Sequence, residues 1–321
     1  MFKKRTLALA ALVLLAPLSG CTYKSKEAQP GIEAAGEPSS SASSASTAAA
    51  ARPLVDAEAS MQTLGFHSGG LDRTVHVFVP ASRSETPGLL VLFHGLGDSG
   101  EAFATAASAA ELAERFRVVV AVPEGTRNRN GGMKSWNAGA CCAFGEPERD
   151  DSSLLADLID RVETVLPIER AAVDIAGFSN GGYFVEYNAC KNSELIRGGL
   201  NVAGSEALPA EECQPTTPVR LLRVHGELDD RVPFEGGEIR GNEVLSFNES
   251  FVNWRSRVQC STAPRNVYWG AAICRVQDRC QNGAYVSCQI PRMGHEWPDP
   301  ARTSLDVFER AWQVWTDAIE P

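Results

Sequence analysis

The sequence predicts an α/β fold: a mainly parallel sheet with helices on both faces and an antiparallel hairpin at its N-terminal edge. Three observations carry this. Short, predominantly apolar runs such as "GLLVLFHG", "RVVVAVPEG" and "VRLLRVHG" alternate with helical segments, and strands without polar alternation belong in a sheet buried on both sides. Roughly 260 residues follow a non-globular N-terminal region, enough for one substantial core. The residues with chemical potential fall just after apolar runs, where ligands sit in such sheets.

Taken in order, residues 1–20 read as an export signal: "MFKKR" is basic, and "TLALAALVLLAPLSG" is apolar and ends in small residues. Its apolar core, Leu7 to Ala16, is too short for the roughly 20 residues of a spanning helix. "LSGC", Leu18 to Cys21, resembles a bacterial lipobox, which implies a lipidated Cys21 and anchoring in the cell envelope. Residues 21–58 are rich in Ser, Ala, Pro and Gly and are expected to form a disordered tether. Residues 59–321 form the expected single, monomeric domain. Without Lys3, Lys4 and Arg5 the formal charge moves from −10 to −13, which excludes nucleic acid as a partner and leaves the lipid as the route to the membrane.

Within the domain, "TVHVFV" places Val75, Val77 and Val79 on one face, and "SGGLD" supplies a hairpin turn. Then strands and helices alternate: "GLLVLF", "EAFATAASAAELAERF", "RVVVAVP", "DDSSLLADLIDRVETVL", "AAVDIAGF", "NGGYFVEYNAC", "GGLNVAGS", "VRLLRVHG", "EVLSFNESFVNWRSRV" and "TSLDVFERAWQVWTDAI". One connection, Glu124 to Asp150, is long and without periodicity, the kind of loop that is usually functional. Trp136 within it is read either as lining a pocket or as anchoring the loop, and His94 and Trp297 are further candidate pocket residues.

Gly177, Ser179 and Gly181 satisfy G-x-S-x-G between a strand and a helix, the pattern of a nucleophile elbow. A serine hydroxyl needs a base, and the base a carboxylate. His67, His76 and His94 precede Ser179, and His225 precedes any well-placed carboxylate, which leaves His295 in "RMGHEWP". Asp229 in "VHGELDDRVP" is preferred over Asp230 as the acid, giving the chain order Ser, Asp, His. The loop "LFHGLGDSG" is read as the oxyanion loop, with Leu96 and Asn180 as N–H donors and His94 holding it in shape.

Eight cysteines remain after Cys21: Cys141, Cys142, Cys190, Cys213, Cys260, Cys274, Cys280 and Cys288. In an exported chain without CxxC pairs they read as four disulfides rather than a metal site. Cys274 and Cys280 could close a local loop, and Cys141 and Cys142 are expected to take separate partners. The bridges should brace the long loop and a C-terminal hairpin.

The segments "LFHGLGDSG", "SWNAGACC", "DDSSLLADLID", "IAGFSNGGY", "VHGELDDRVPFEGG" and "GHEWP" together resemble the polyhydroxybutyrate depolymerase and feruloyl esterase-like group of the α/β-hydrolases, related to carbohydrate esterase family 1. The resemblance runs from about residue 63 to 300. It implies an α/β-hydrolase fold, a Ser179–Asp229–His295 triad, no cofactor and secreted carboxylic-ester hydrolysis through an acyl-enzyme. The implied substrates are feruloyl, acetyl or short-chain esters, polysaccharide-linked or oligomeric, with polyhydroxyalkanoate as the alternative. The short stretch after His295 leaves no expected polymer-binding module. A peptidase or thioesterase, or a surface binding protein without turnover, would share the same scaffold.

Overall fold

The computed structural model describes residues 60–127, 132–139, 141–142, 149–239 and 241–319. The expected export signal, the tether and Cys21 lie outside the described residues.

The chain enters through an antiparallel pair, β1 (Ser60–Ser68) and β2 (Leu71–Val79). Gly69 and Gly70 form the two-residue turn, both at positive φ (56° and 73°), which tight hairpins require and glycine supplies without strain. Val75, Val77 and Val79 face one core together, as the alternation predicts. Then come β3 (Leu89–Phe93), α1 (Gly100–Ala106), α2 (Ala109–Phe116) and β4 (Val119–Pro123). In the long connection β5 (Thr126–Arg127) pairs with β6 (Lys134–Ser135), and α3 (Leu154–Glu163) follows. The central unit is β7 (Val173–Phe178), α4 (Asn180–Lys191) and β8 (Gly198–Val202). After β9 (Val219–Gly226), β10 (Gly237–Ile239) and β11 (Asn242–Val244) form a small ladder ahead of α5 (Phe247–Arg257). The chain closes with β12 (Arg265–Trp269), β13 (Ala272–Cys280), β14 (Gly283–Ile290), α6 (Pro300–Thr303) and α7 (Val307–Trp315).

Ten strands form one sheet in the order β1-β2-β4-β3-β7-β8-β9-β14-β13-β12. From β4 through β14 neighbouring strands run parallel, and the antiparallel pairs lie at the two ends. The apolar central strands are explained by two cores. Leu89, Val91 and Phe93 of β3 enter one, with residues of α3, α4 and α5, whereas Leu90 and Leu92 enter the other, with residues of α1, α2 and α7. Both faces are therefore covered, which removes the polar alternation a one-sided strand would show.

Among the described residues four disulfides form, and they overturn two expectations: separate partners for Cys141 and Cys142, and a local loop between Cys274 and Cys280. Cys141 bonds Cys142, and the others are Cys190–Cys213, Cys260–Cys280 and Cys274–Cys288. Cys274 cannot close a loop with Cys280 because both lie on β13, about 20 Å apart along an extended strand. The antiparallel register instead sets Cys274 opposite Cys288, and an isolated bridge sets Cys260 opposite Cys280. With the other six engaged, the adjacent pair is left to itself, at a turn where Cys142 has φ 81°.

Candidate active site

Ser179 stands between β7 and α4 with φ 55° and ψ −117°, a conformation that side-chain-bearing residues avoid. Its N–H donates to the Val202 carbonyl (2.9 Å), and its carbonyl accepts from the Tyr183 N–H (3.0 Å), so the turn is fixed by the neighbouring strand and the following helix. The flanking glycines make this possible. A Cβ at Gly177 would lie 2.2 Å from the Gly181 carbonyl oxygen, and one at Gly181 would lie 2.0 Å from that of Phe93. Helix and strand touch backbone to backbone, and the hydroxyl is lifted clear of the sheet.

His295 Nε2 lies 2.9 Å from Ser179 Oγ, and His295 Nδ1 lies 2.8 Å from Asp229 Oδ2. Residues 116 and 66 positions apart in sequence thus form one hydrogen-bonded chain. Asp229 follows β9, and its Oδ1 accepts the N–H groups of Arg231 (2.9 Å) and Val232 (2.8 Å). Burial alone would raise its pKa. The hydrogen bonds from His225, His295 and the Val232 N–H outweigh that and hold the carboxyl well below the usual carboxylate range. Asp230, the rejected neighbour, is exposed. With Asp229 ionised, Nδ1 of His295 carries a hydrogen and Nε2 is free to accept the serine proton.

The His-Gly loop packs against this turn: a Cβ at Gly95 would lie 3.5 Å from Ser179 Cβ. Gly97 N–H donates to the Lys134 carbonyl (2.8 Å) and Asp98 N–H to the Gly95 carbonyl (3.2 Å). The Leu96 N–H has no acceptor among the described residues. Nor has the N–H of Asn180, the first residue of α4, as expected where a helix begins.

Two expected pocket residues are corrected. Trp136 is wholly buried: its Nε1 donates to the His94 carbonyl (2.9 Å), and its ring packs against Phe93 and Phe184. It fills the space beneath the His-Gly loop and cannot line an open pocket. His94 is buried too. Its Nε2 accepts from the Gly125 N–H (2.9 Å), so Nδ1 carries the hydrogen and donates to the Gly95 carbonyl (2.7 Å). It holds the loop, as the alternative role assigned to it states. Trp297 is half-buried against Phe103, Phe178 and Phe308, and Phe178 in turn packs against the His295 ring.

Sequence reasoning missed a role of each of two residues it had named. The side-chain amide of Asn180 clamps the long loop, Oδ1 accepting from Trp136 N–H (2.8 Å) and Nδ2 donating to its carbonyl (3.0 Å). His225 also reaches the triad carboxylate, with Nε2 3.2 Å from Asp229 Oδ2. Its place four residues before Asp229 was the available signal; judging it only as a base hid its role. Two surface clefts of about 380 and 350 Å³ lie elsewhere, beside His76 and Glu101 and beside Cys213 and Gln259, and neither includes Ser179.

A strained serine turn between a parallel strand and a helix, with an imidazole and a carboxylate arriving on later strand-end loops, defines an α/β-hydrolase. The phospholipase/carboxylesterase family model matches residues 75–261, and the chain belongs to that family. It is 24% identical over 216 residues to feruloyl esterase B of Piromyces equi, covering 64% of this chain and 39% of that protein. It is 27% identical over 229 residues to the putative esterase NocK of Nocardia uniformis subsp. tsuyamanensis, covering 70% of this chain and 64% of that one. The chain thus spans less than two thirds of the length of these relatives. Acetyl xylan esterase from Aspergillus awamori shares the fold, with a TM-score of 0.58 at 15% identity over 78% of this chain and 99% of that one.

Proposed function

We propose that the chain is a serine carboxylic-ester hydrolase acting through an acyl-enzyme. One observation carries this reading: the unbroken run Ser179 Oγ, His295 Nε2, His295 Nδ1, Asp229 Oδ2, with both links under 3 Å. His295 takes the Ser179 proton as Oγ attacks the ester carbonyl and returns it to the departing alcohol; water repeats the cycle on the acyl-enzyme. Asp229 holds the imidazole and stabilises its charged form. The N–H groups of Leu96 and Asn180, the latter at the positive end of α4, stabilise the tetrahedral oxyanion.

Feruloyl, acetyl or short-chain esters are the proposed substrates. The names of the similar proteins support this class, as do the exposed apolar side chains of Met133, beside Gly97, and Leu228, beside Asp229. A fluorophosphonate probe should label the wild type and leave Ser179→Ala unlabelled; equal labelling of both would refute the nucleophile. Turnover of methyl ferulate, acetylated xylan, short p-nitrophenyl esters and hydroxybutyrate oligomers then ranks the acyl groups. We further propose export and anchoring through a lipid on Cys21, supported by the "LSGC" sequence. Partition into the detergent phase of Triton X-114, lost in Cys21→Ala, is the expected result.

A further inference from the structure

His225 lies near the end of β9, wholly buried, four residues before Asp229. Its Nε2 is 2.9 Å from the Val232 carbonyl oxygen and 3.2 Å from Asp229 Oδ2. A carbonyl oxygen only accepts, so Nε2 carries a hydrogen, bonded to the Val232 carbonyl, with the Asp229 oxygen close beside it. Nδ1 is buried and has no partner among the described residues. A proton there would place an unsolvated charge in the core, and burial accordingly holds the pKa of this imidazole below its ordinary value. The ring is neutral and fixed in one tautomer, edge-on to Phe234 and Phe247 at 6.0 and 6.2 Å between centroids. The oxygen it meets is the one that also accepts His295 Nδ1–H. Asp229 therefore accepts the His295 Nδ1–H on Oδ2, with His225 Nε2 3.2 Å from the same oxygen, and two backbone N–H groups on Oδ1.

We propose that His225 is a positioning residue for the ester hydrolysis: its Nε2–H fixes the orientation of the Asp229 carboxylate and competes with His295 for Oδ2. The proposal rests on the serine-esterase reading. By sharing that oxygen, His225 limits how strongly the carboxylate draws a proton onto the catalytic base. The other charged or titratable groups facing this pair are Arg223 on the same strand, Tyr183 on α4 and Arg231 on the following turn, whose backbone rather than guanidinium meets Asp229. No other side-chain donor meets the carboxylate among the described residues.

The test compares His225→Phe, which keeps an aromatic ring and removes the donor, with His225→Gln, which keeps an N–H donor. His225→Phe should lower kcat/KM about tenfold, the effect of losing one hydrogen bond to a charged group. The acid limb of its kcat/KM profile should move to higher pH by about half a unit, because a carboxylate with one donor fewer favours the protonated base more strongly. His225→Gln should lie within about threefold of wild type with its limb unmoved. A loss of activity in His225→Phe without a limb shift, or without rescue by Gln, would assign His225 to packing alone and overturn the proposal. So would a wild-type profile in His225→Phe. Imidazole ¹⁵N–¹H correlation spectra of the wild type decide the matter independently of folding: the expected signal is a neutral His225 protonated at Nε2, and protonation at Nδ1 alone would refute it. If the wild type neither turns over esters nor takes the fluorophosphonate label, the esterase reading falls and this proposal with it. An active, labelled wild type with an indifferent His225 sinks only the positioning role.

Discussion

Asp229 is the residue on which most of the site's hydrogen bonding converges, and its side chain is fully buried. Replacing it by Asn keeps the shape but offers an amide where His295 needs an acceptor, and the imidazole can then turn to the wrong tautomer. Asp229→Asn should lower kcat by on the order of a thousandfold or more while leaving Ser179 present and accessible. The same residue sets an acid sensitivity. Its pKa is depressed by folding, so its ionised form contributes stability that is complete above the unfolded carboxylate value, about 4, and is lost as pH falls further. Melting temperatures of the wild type and Asp229→Asn should therefore differ most above about pH 4 and converge below it. A gap that widens on acidification would contradict the assignment. This carboxylate was legible because "DDRVP" follows an apolar strand and precedes the only histidine left to serve as base. The His225 contact was not, since it depends on β9 ending at the height where the following turn folds back.

The β7–Ser179–α4 element was the most legible part of the chain, because glycine spacing and a strand-to-helix switch are local properties of sequence. Its cost is specific. Gly181→Ala would drive a Cβ to 2.0 Å from the Phe93 carbonyl oxygen, backbone that cannot yield without moving β3. We expect a loss of more than about 2 kcal/mol in denaturant unfolding, with activity falling further than stability alone explains. The long loop was legible only as a loop. Arg73 pairs with Asp151 (2.5 Å), which also accepts the Asn137 N–H (2.6 Å), and these contacts join β2, the loop and the residues leading into α3. Such pairings span 78 and 14 residues and leave no periodic trace. On the far side of α4, buried Glu186 accepts from the Asn201 amide (2.7 Å) and the Trp254 indole (2.9 Å), tying the helix to β8 and α5.

For the molecule as a whole, the three disulfides between separated cysteines among the described residues all lie from Cys190 onward, in the half that carries the antiparallel extension of the sheet. Each closes a loop of 14 to 23 residues, worth about 3 kcal/mol in the chain-entropy account, whereas Cys141–Cys142 closes almost no loop. Replacing Cys274 and Cys288 by alanine should therefore lower stability by about 2–4 kcal/mol in denaturant titrations. Replacing Cys141 and Cys142 should change it by less than about 1 kcal/mol. Equal losses would show that the vicinal pair holds the fold. The sequence by itself determined the α/β class, the hairpin at the start, the serine turn and the order of its partners, because apolar period, glycine placement and chain order are written locally. Only the tertiary structure decided which cysteines face one another, that Trp136 and His94 are interior, and that a second imidazole meets Asp229. Those outcomes depend on strand register and on which side chain fills a given space, and both are fixed only when distant segments pack together.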